Sequence, residues 1–268
     1  MSNSVILSEK FKVTLANGLD LNGYIHTTAD AQAKPVLILS HGFRGAKDWG
    51  FWPHVTSRFA ERGFYTVSFD FSRIDAKQRN ADERLLAAAS TLSSEIADLE
   101  LVLSLLASGQ LPLPEHADLS RISLLGHSRA GLSNLVVASE RPEVRAVAVW
   151  NGGGRPPLPA KAREELTLQE QAILDDFQAH EERYHAPSRL AKLHVPALFV
   201  QGTADAQRLL DAVNALKQLA PDQTFIEVPD ADHTFGTVHP FQGTTVYLEE
   251  AFEATVAFLR RNNGEKRL

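Results

Sequence analysis

Apolar positions along the chain follow two distinct patterns. Phe11, Val13 and Leu15 alternate with Lys12 and Thr14, Asn17-Gly18 follows, and Leu19, Leu21 and Ile25 resume the alternation. Period-two alternation on either side of an Asn-Gly pair predicts an antiparallel hairpin with one face toward a core. After Pro35 the alternation gives way to nearly continuous apolar runs at Val36–Leu39, Tyr65–Phe69, Ile122–Leu125, Val144–Val149 and Ala197–Val200, with a further strand at Thr224–Val228. Runs of this kind suit parallel strands covered on both faces.

Helical stretches separate them: Pro53–Arg62, Ala87–Ala107, Arg129–Ser139, Gln207–Leu219 and Thr245–Arg261. Strand and helix in alternation predict an α/β domain spanning residues 1–268. Its mostly parallel central sheet opens on an antiparallel hairpin and carries helices on both faces. One segment breaks the rhythm. Between about 151 and 192 no strand pattern occurs; Gly152-Gly153-Gly154 and Pro156-Pro157-Leu158-Pro159 lead into a charged helical stretch, Lys161–Arg183. Within it Leu166, Ile173, Phe177 and Tyr184 mark one helix face. Such an insertion is expected either to pack as a surface helix pair or to form a helical cap over the carboxyl ends of the strands, where open α/β sheets bind ligands.

Composition narrows the function classes. Of 268 residues, 44% are hydrophobic and 22% charged, ordinary for a globular protein, and the net charge of -6 leaves no basic stripe for nucleic acid or an anionic membrane. The chain has no cysteine, so disulfides, thiolate metal sites and a cysteine nucleophile are excluded. MSNSVILSEKFK lacks a basic segment followed by a long apolar one, and no apolar run has the length of a membrane span, so a soluble cytoplasmic protein is expected.

The chemistry concentrates at Ile122-Ser-Leu-Leu-Gly-His-Ser-Arg-Ala-Gly131, where an apolar strand meets a helix with Ser128 at the corner and small residues, Gly126 and Ala130, two positions to either side. A serine held on a strained strand-to-helix turn needs small neighbours, because residues two positions away nearly touch. A degenerate dinucleotide fingerprint would want glycine at position 128 and an acid ending the next strand; that strand ends Val149-Trp150-Asn151 instead. A serine that merely caps the following helix is the bland alternative. Its partners decide between them. A nucleophilic serine requires a base and an acid that orients the base, in this topology following it in chain order. Asp205 lies just past the strand Ala197–Val200 and His233 just past Thr224–Val228, both at carboxyl ends. Asp232 competes with Asp205, but adjacent side chains of an extended segment point opposite ways.

With these residues in order, the chain resembles the α/β-hydrolase superfamily along nearly its whole length, within it the small capped serine carboxylesterases. Cinnamoyl and feruloyl esterases and dienelactone-hydrolase-like enzymes belong to that group, although the latter's usual cysteine nucleophile is absent. Ser40-His41-Gly42-Phe43-Arg44-Gly45 resembles the family's oxyanion-hole loop. The resemblance implies that the backbone N–H groups of Phe43 and Arg129 form the oxyanion hole, with Ser128, Asp205 and His233 as the triad and no cofactor. Expected substrate-binding residues are His41, Trp49, Trp52, His127, Tyr184 and Phe235. Trp49 and Trp52 serve equally well as the buried start of a helix, and the Arg44 and Arg129 side chains either bind a substrate carboxylate or pair structurally. His233, His239, Asp230 and Asp232 lack the spacing of a metal site, so no metal is expected. The expected partner is a small-molecule ester, short-chain or aryl. Thioesterase, amidase and feruloyl or cinnamoyl esterase activity by the same mechanism are alternatives, as is a non-catalytic ligand-binding protein of this fold.

Overall fold

The computed structural model describes residues 5–264. The hairpin forms as expected: β1 (Ile6–Thr14) and β2 (Asp20–Thr28) pair antiparallel with Val13 opposite Leu21 and Phe11 opposite Gly23. Six further strands follow, β3 (Lys34–Ser40), β4 (Tyr65–Phe69), β5 (Ala117–His127), β6 (Val144–Trp150), β7 (Ala197–Gly202) and β8 (Thr224–Val228). They assemble in the order β1-β2-β4-β3-β5-β6-β7-β8, with β2 antiparallel to β4 and every later pairing parallel. The molecule is thus an α/β fold with a mostly parallel sheet opened by an antiparallel hairpin.

Alternating residues of the apolar runs feed two cores. Val36, Ile38, Leu124, Val147, Val149 and Phe199 face one side of the sheet, where they pack against α4 (Leu92–Ala107) and α5 (Arg129–Glu140). Leu37, Leu39, Leu125, Ala148, Trp150 and Val200 face the other, under α1 (Trp52–Glu61) and α9 (Val246–Asn262). Burial on both faces is why these strands read as continuous apolar sequence rather than as alternation.

Four local differences from the sequence reading have identifiable causes. The single helix expected at Ala87–Ala107 is two, α3 (Glu83–Ala89) and α4, because Thr91 turns extended (φ -74°, ψ 161°) and its hydroxyl caps the Ser94 amide. The segment α2 (Ser72–Gln78) is helical although it is too short for a helical periodicity to stand out in the sequence. Strand β5 runs beyond the Ile122–Leu125 apolar core at both ends. The charged stretch Lys161–Arg183 contains a regular helix only at α6 (Leu168–Ala179), opened by a Thr167–Glu170 capping box, and α7 (Ala186–Ala191) follows it.

The segment from 151 to 192 contains no strand, in agreement with its sequence, and α6 docks on the start of α4. Asp176 Oδ2 accepts the Leu92 and Ser93 amides at 3.0 and 3.1 Å. A carboxylate from one helix thereby caps the N-terminus of another, where the helix dipole favours negative charge. α8 (Gln207–Leu219) completes the fold. No helix among the described residues is long and apolar enough to cross a membrane.

Candidate active site

Ser128 occupies the turn between β5 and α5 with φ 58° and ψ -123°, a conformation that costs a non-glycine residue energy and persists only where its surroundings impose it. Those surroundings are tight. A Cβ on Gly126 would stand 2.5 Å from the Ala130 carbonyl oxygen, and one on Gly152 2.1 Å from the Ser128 carbonyl oxygen. The smallness at Gly126 is therefore a packing requirement imposed by the Ala130 backbone, and a second close approach comes from Gly152, two residues past β6.

The carboxyl edge of the sheet brings three side chains together. His233, in the loop after β8, has its Nε2 3.0 Å from Ser128 Oγ and its Nδ1 2.8 Å from Asp205 Oδ2. With Nδ1–H donating to the carboxylate, Nε2 is left to accept the serine hydroxyl proton. Asp205 is held on its far side as well, its Oδ1 accepting the Ala206 amide at 2.7 Å and its Oδ2 the Gln201 Nε2 at 3.1 Å. Burial raises its pKa, but these hydrogen bonds and the adjacent His233 outweigh it and hold the carboxyl below its ordinary range. Asp232 turns away: its Oδ1 accepts the Thr234 and Gly236 amides at 2.9 and 2.7 Å and ties its own loop.

Two residues hold the His233 loop in place. His127 Nε2–H donates to the His233 carbonyl at 2.8 Å, and burial, with His233 nearby, pushes the His127 imidazole down to about 4, so it is neutral at physiological pH. Asn151, at the end of β6, donates from Nδ2 to the carbonyls of Asp232 and His233 at 3.2 and 3.1 Å and accepts the Gly202 amide at 2.7 Å. In the sequence Asn151 stands out only as a strand end that lacks an acid. Its φ of 48° is reached more readily by Asn than by most residues, but nothing local in the sequence signals the contact with residue 233.

A cavity of about 650 Å³ opens beside these groups, large enough for a drug-sized ligand. Phe43, Trp49, Trp52, His127, Ser128, Arg129 and His233 line it from the sheet edge, and Gly152, Leu158, Ile173 and Phe177 line it from the 151–192 segment. Arg44, Arg155 and Arg208 are exposed side chains on the same lining. Trp52 fills both roles open to it in the sequence: it lines the cavity while buried at 2% exposure beside Trp150.

Three residues expected to touch substrate stand elsewhere. His41 is buried behind the loop, donating from Nδ1 to the Gly42 carbonyl at 2.8 Å and accepting the Phe71 amide at 3.3 Å, and burial drives its pKa well below the ordinary histidine value. Tyr184, in the turn between α6 and α7, is sequestered because its hydroxyl meets Ser93 of α4 at 2.6 Å. Phe235 is fully buried against Trp150. The Arg129 side chain pairs structurally with Glu95 at 2.6 Å. Among the described residues, no three His, Asp or Glu side chains are grouped so as to hold a metal ion.

No known family model matches the chain, and no curated protein matches its sequence. Solved structures do match in shape. Est1E from Butyrivibrio proteoclasticus superposes with a TM-score of 0.69 at 18% identity, over 94% of this chain and 98% of its own, and has also been solved with ferulic acid bound. A putative dienelactone hydrolase from Klebsiella pneumoniae subsp. pneumoniae gives 0.66 at 17% identity, over 96% and 99% of the two chains. The alpha/beta hydrolase GrgF from Penicillium sp. gives 0.66 at 16% identity, again over 96% and 99%. These likenesses, together with the sheet order and the strained serine turn, give the chain the α/β-hydrolase fold.

Proposed function

We propose that the protein is a serine hydrolase that cleaves carboxylic esters through an acyl-enzyme. The observation that carries this reading is the continuous hydrogen-bond relay from Asp205 through His233 to Ser128, closed at 2.8 and 3.0 Å on the wall of a cavity. Ser128 Oγ attacks the carbonyl carbon while its proton passes to His233 Nε2. The tetrahedral intermediate collapses, the ester C–O bond breaks, and the same proton goes to the departing alkoxide. Water then attacks the acyl-enzyme, losing a proton to His233, which returns it to Ser128 as the carboxylic acid leaves. Asp205 keeps the imidazole in the required tautomer and stabilises its cation.

Charge that develops on the carbonyl oxygen is met by the backbone N–H groups of Phe43 and Arg129. Arg129 opens α5, so its amide has no partner within the helix, and the helix dipole adds positive potential there. Each such donor contributes about 3–4 kcal/mol to the transition state. Residues 151–192 act as a cap, supplying the Leu158, Ile173 and Phe177 wall. Aromatic walls at Phe43, Trp49, Trp52 and Phe177 favour aryl or short acyl esters, and the ferulic acid bound to Est1E is consistent with the aryl choice.

The test is turnover of a panel of p-nitrophenyl and methyl hydroxycinnamate esters by the wild type and by Ser128→Ala. Hydrolysis by the wild type and a loss of several orders of magnitude in the variant are expected. Saturable ligand binding with no turnover by either protein would instead identify a binding protein of this fold.

A further inference from the structure

Beneath the proposed oxyanion hole lies a buried charge cluster that the triad does not use. Glu95, on α4, is fully buried, and Arg73, on α2, is 4% exposed. Arg73 Nη1 donates to Glu95 Oε1 at 2.5 Å, while its remaining donors go to the loop after β3: Nη2 to the Gly42 carbonyl at 2.9 Å and Nε to the Phe43 carbonyl at 3.1 Å. Glu95 Oε1 also accepts Arg129 Nη2 and Nε at 2.6 and 3.0 Å, and Oε2 accepts the Ser133 hydroxyl at 3.0 Å. The Arg129 guanidinium in turn lies 3.8 Å from the centre of the Phe43 ring.

The Gly42 carbonyl and the Phe43 N–H belong to one planar peptide unit and point in opposite directions across it. A donor that holds the oxygen therefore sets the direction of the N–H. We infer that Arg73, anchored by Glu95, is a positioning residue that locks the Gly42–Phe43 peptide with its N–H aimed at the developing oxyanion. His41 Nδ1–H reinforces the lock on the same oxygen at 2.8 Å. Glu95 connects the two halves of the hole, because it holds Arg129 directly and Phe43 through Arg73. Burial of this cluster keeps water from competing for the loop carbonyls, and a cation on the Gly42 oxygen polarises the peptide, strengthening its N–H as a donor. Without Arg73 the Gly42 oxygen keeps the His41 ring and the Gly45 amide, at 3.0 Å, as donors, but the less firmly held peptide must be reorganised at each turnover, the cost that preorganised sites avoid.

This inference rests on the proposed serine hydrolase reading and goes beyond it. Its test compares Arg73→Lys, Arg73→Gln and Glu95→Gln with the wild type, using kcat per active site titrated with an organophosphate ester. Expected are a 10- to 100-fold fall in kcat with KM within about twofold, and a parallel fall in affinity for an aryl trifluoromethyl ketone, which binds as a tetrahedral adduct. Affinity for the product carboxylic acid is expected to hold. Arg73→Lys retains the charge that Glu95 requires, and it is the deciding variant if Arg73→Gln does not fold. Unchanged kcat per titrated site in Arg73→Lys, or a loss confined to thermal stability with ketone affinity intact, would overturn the inference. A wild type that turns over no ester overturns the reading of the site itself, a separate result.

Discussion

The side-chain amide of Asn151 donates to the backbone carbonyl of His233 at 3.1 Å. By also accepting the Gly202 amide at 2.7 Å, the same residue joins the ends of β6 and β7 to the loop that carries the imidazole. The strand on which many α/β proteins could place an acid here supplies a bracket instead. Replacing Asn151 by Gly keeps the positive φ accessible and removes the bracket; the variant is expected to lose about 1–3 kcal/mol of stability. Its kcat on an aryl ester is expected to fall about tenfold, because the imidazole is no longer fixed within a few tenths of an ångström. Urea unfolding and steady-state kinetics on the same preparation measure both, and an unchanged kcat would show that the loop holds without Asn151.

Gly152 offers a test of the serine turn. A methyl group there would meet the Ser128 carbonyl oxygen at 2.1 Å, a backbone atom that cannot swing aside. Gly152→Ala is expected to cost about 1–3 kcal/mol as an overpacking change and to lower kcat/KM at least 100-fold by displacing Ser128. Kinetics at a temperature where circular dichroism reports a folded variant separates the displacement from simple unfolding.

Acid stability follows from the buried ionisable groups. His127 is pushed down to about 4 and His41 well below the ordinary value, both chiefly by burial, so between pH 6.5 and 4 the unfolded chain binds protons on these residues that the folded chain does not. Stability therefore falls as the pH falls. Asp98 works in the opposite sense: burial pushes its carboxyl up to about 6, the folded chain keeps a proton that the unfolded chain releases, and this contribution grows on acidification. His26 and His54 shift in the same direction as these two histidines, and Asp70 and Asp75 in the same direction as Asp98, in each case chiefly through burial. The histidines, whose unfolded forms take up protons near pH 6.5, are expected to outweigh the carboxyls, leaving the protein less stable at pH 5 than at pH 7. Urea midpoints at the two pH values check it, and His127→Gln, which keeps an amide donor for the His233 carbonyl, is expected to reduce the difference. Equal midpoints for the wild type would contradict it.

Asp176 is the hinge of contact between the 151–192 segment and the body of the protein. It accepts two backbone amides at the start of α4 and the Ser93 hydroxyl. Asp176→Ala is expected to cost about 1–2 kcal/mol, the magnitude of a lost helix cap, and to expose residues 151–192 to limited proteolysis before the rest of the chain. Cleavage beginning elsewhere would show that the segment is held by its apolar contacts alone.

Much of this organisation is legible in local sequence. The hairpin can be read from alternation around Asn17-Gly18, and the parallel strands from apolar runs, because burial on one face or two leaves a direct imprint on residue choice. The serine turn can be read because steric crowding demands small residues at fixed offsets within five positions. Less legible was the break at Ser90-Thr91, where an unbroken helical pattern spans two helices; its start at Leu92 is stabilised by a carboxylate 84 residues away. Tyr184 looked like a pocket residue because it shares a helical phase with Phe177, yet only Phe177 reaches the cavity.

Periodicity and residue size, acting over a few positions, determined the strands, most of the helices, the corner that holds Ser128 and the chain order of Ser128, Asp205 and His233. Tertiary structure alone decided which groups support them: Asn151 and His127 on the carbonyl of residue 233, Gly152 beneath Ser128, and Arg73 with Glu95 behind Gly42. Hydrogen bonds and close contacts between segments tens of residues apart impose no period on the sequence, and one Asn or Arg satisfying a distant carbonyl reads the same in a sequence as one exposed to water.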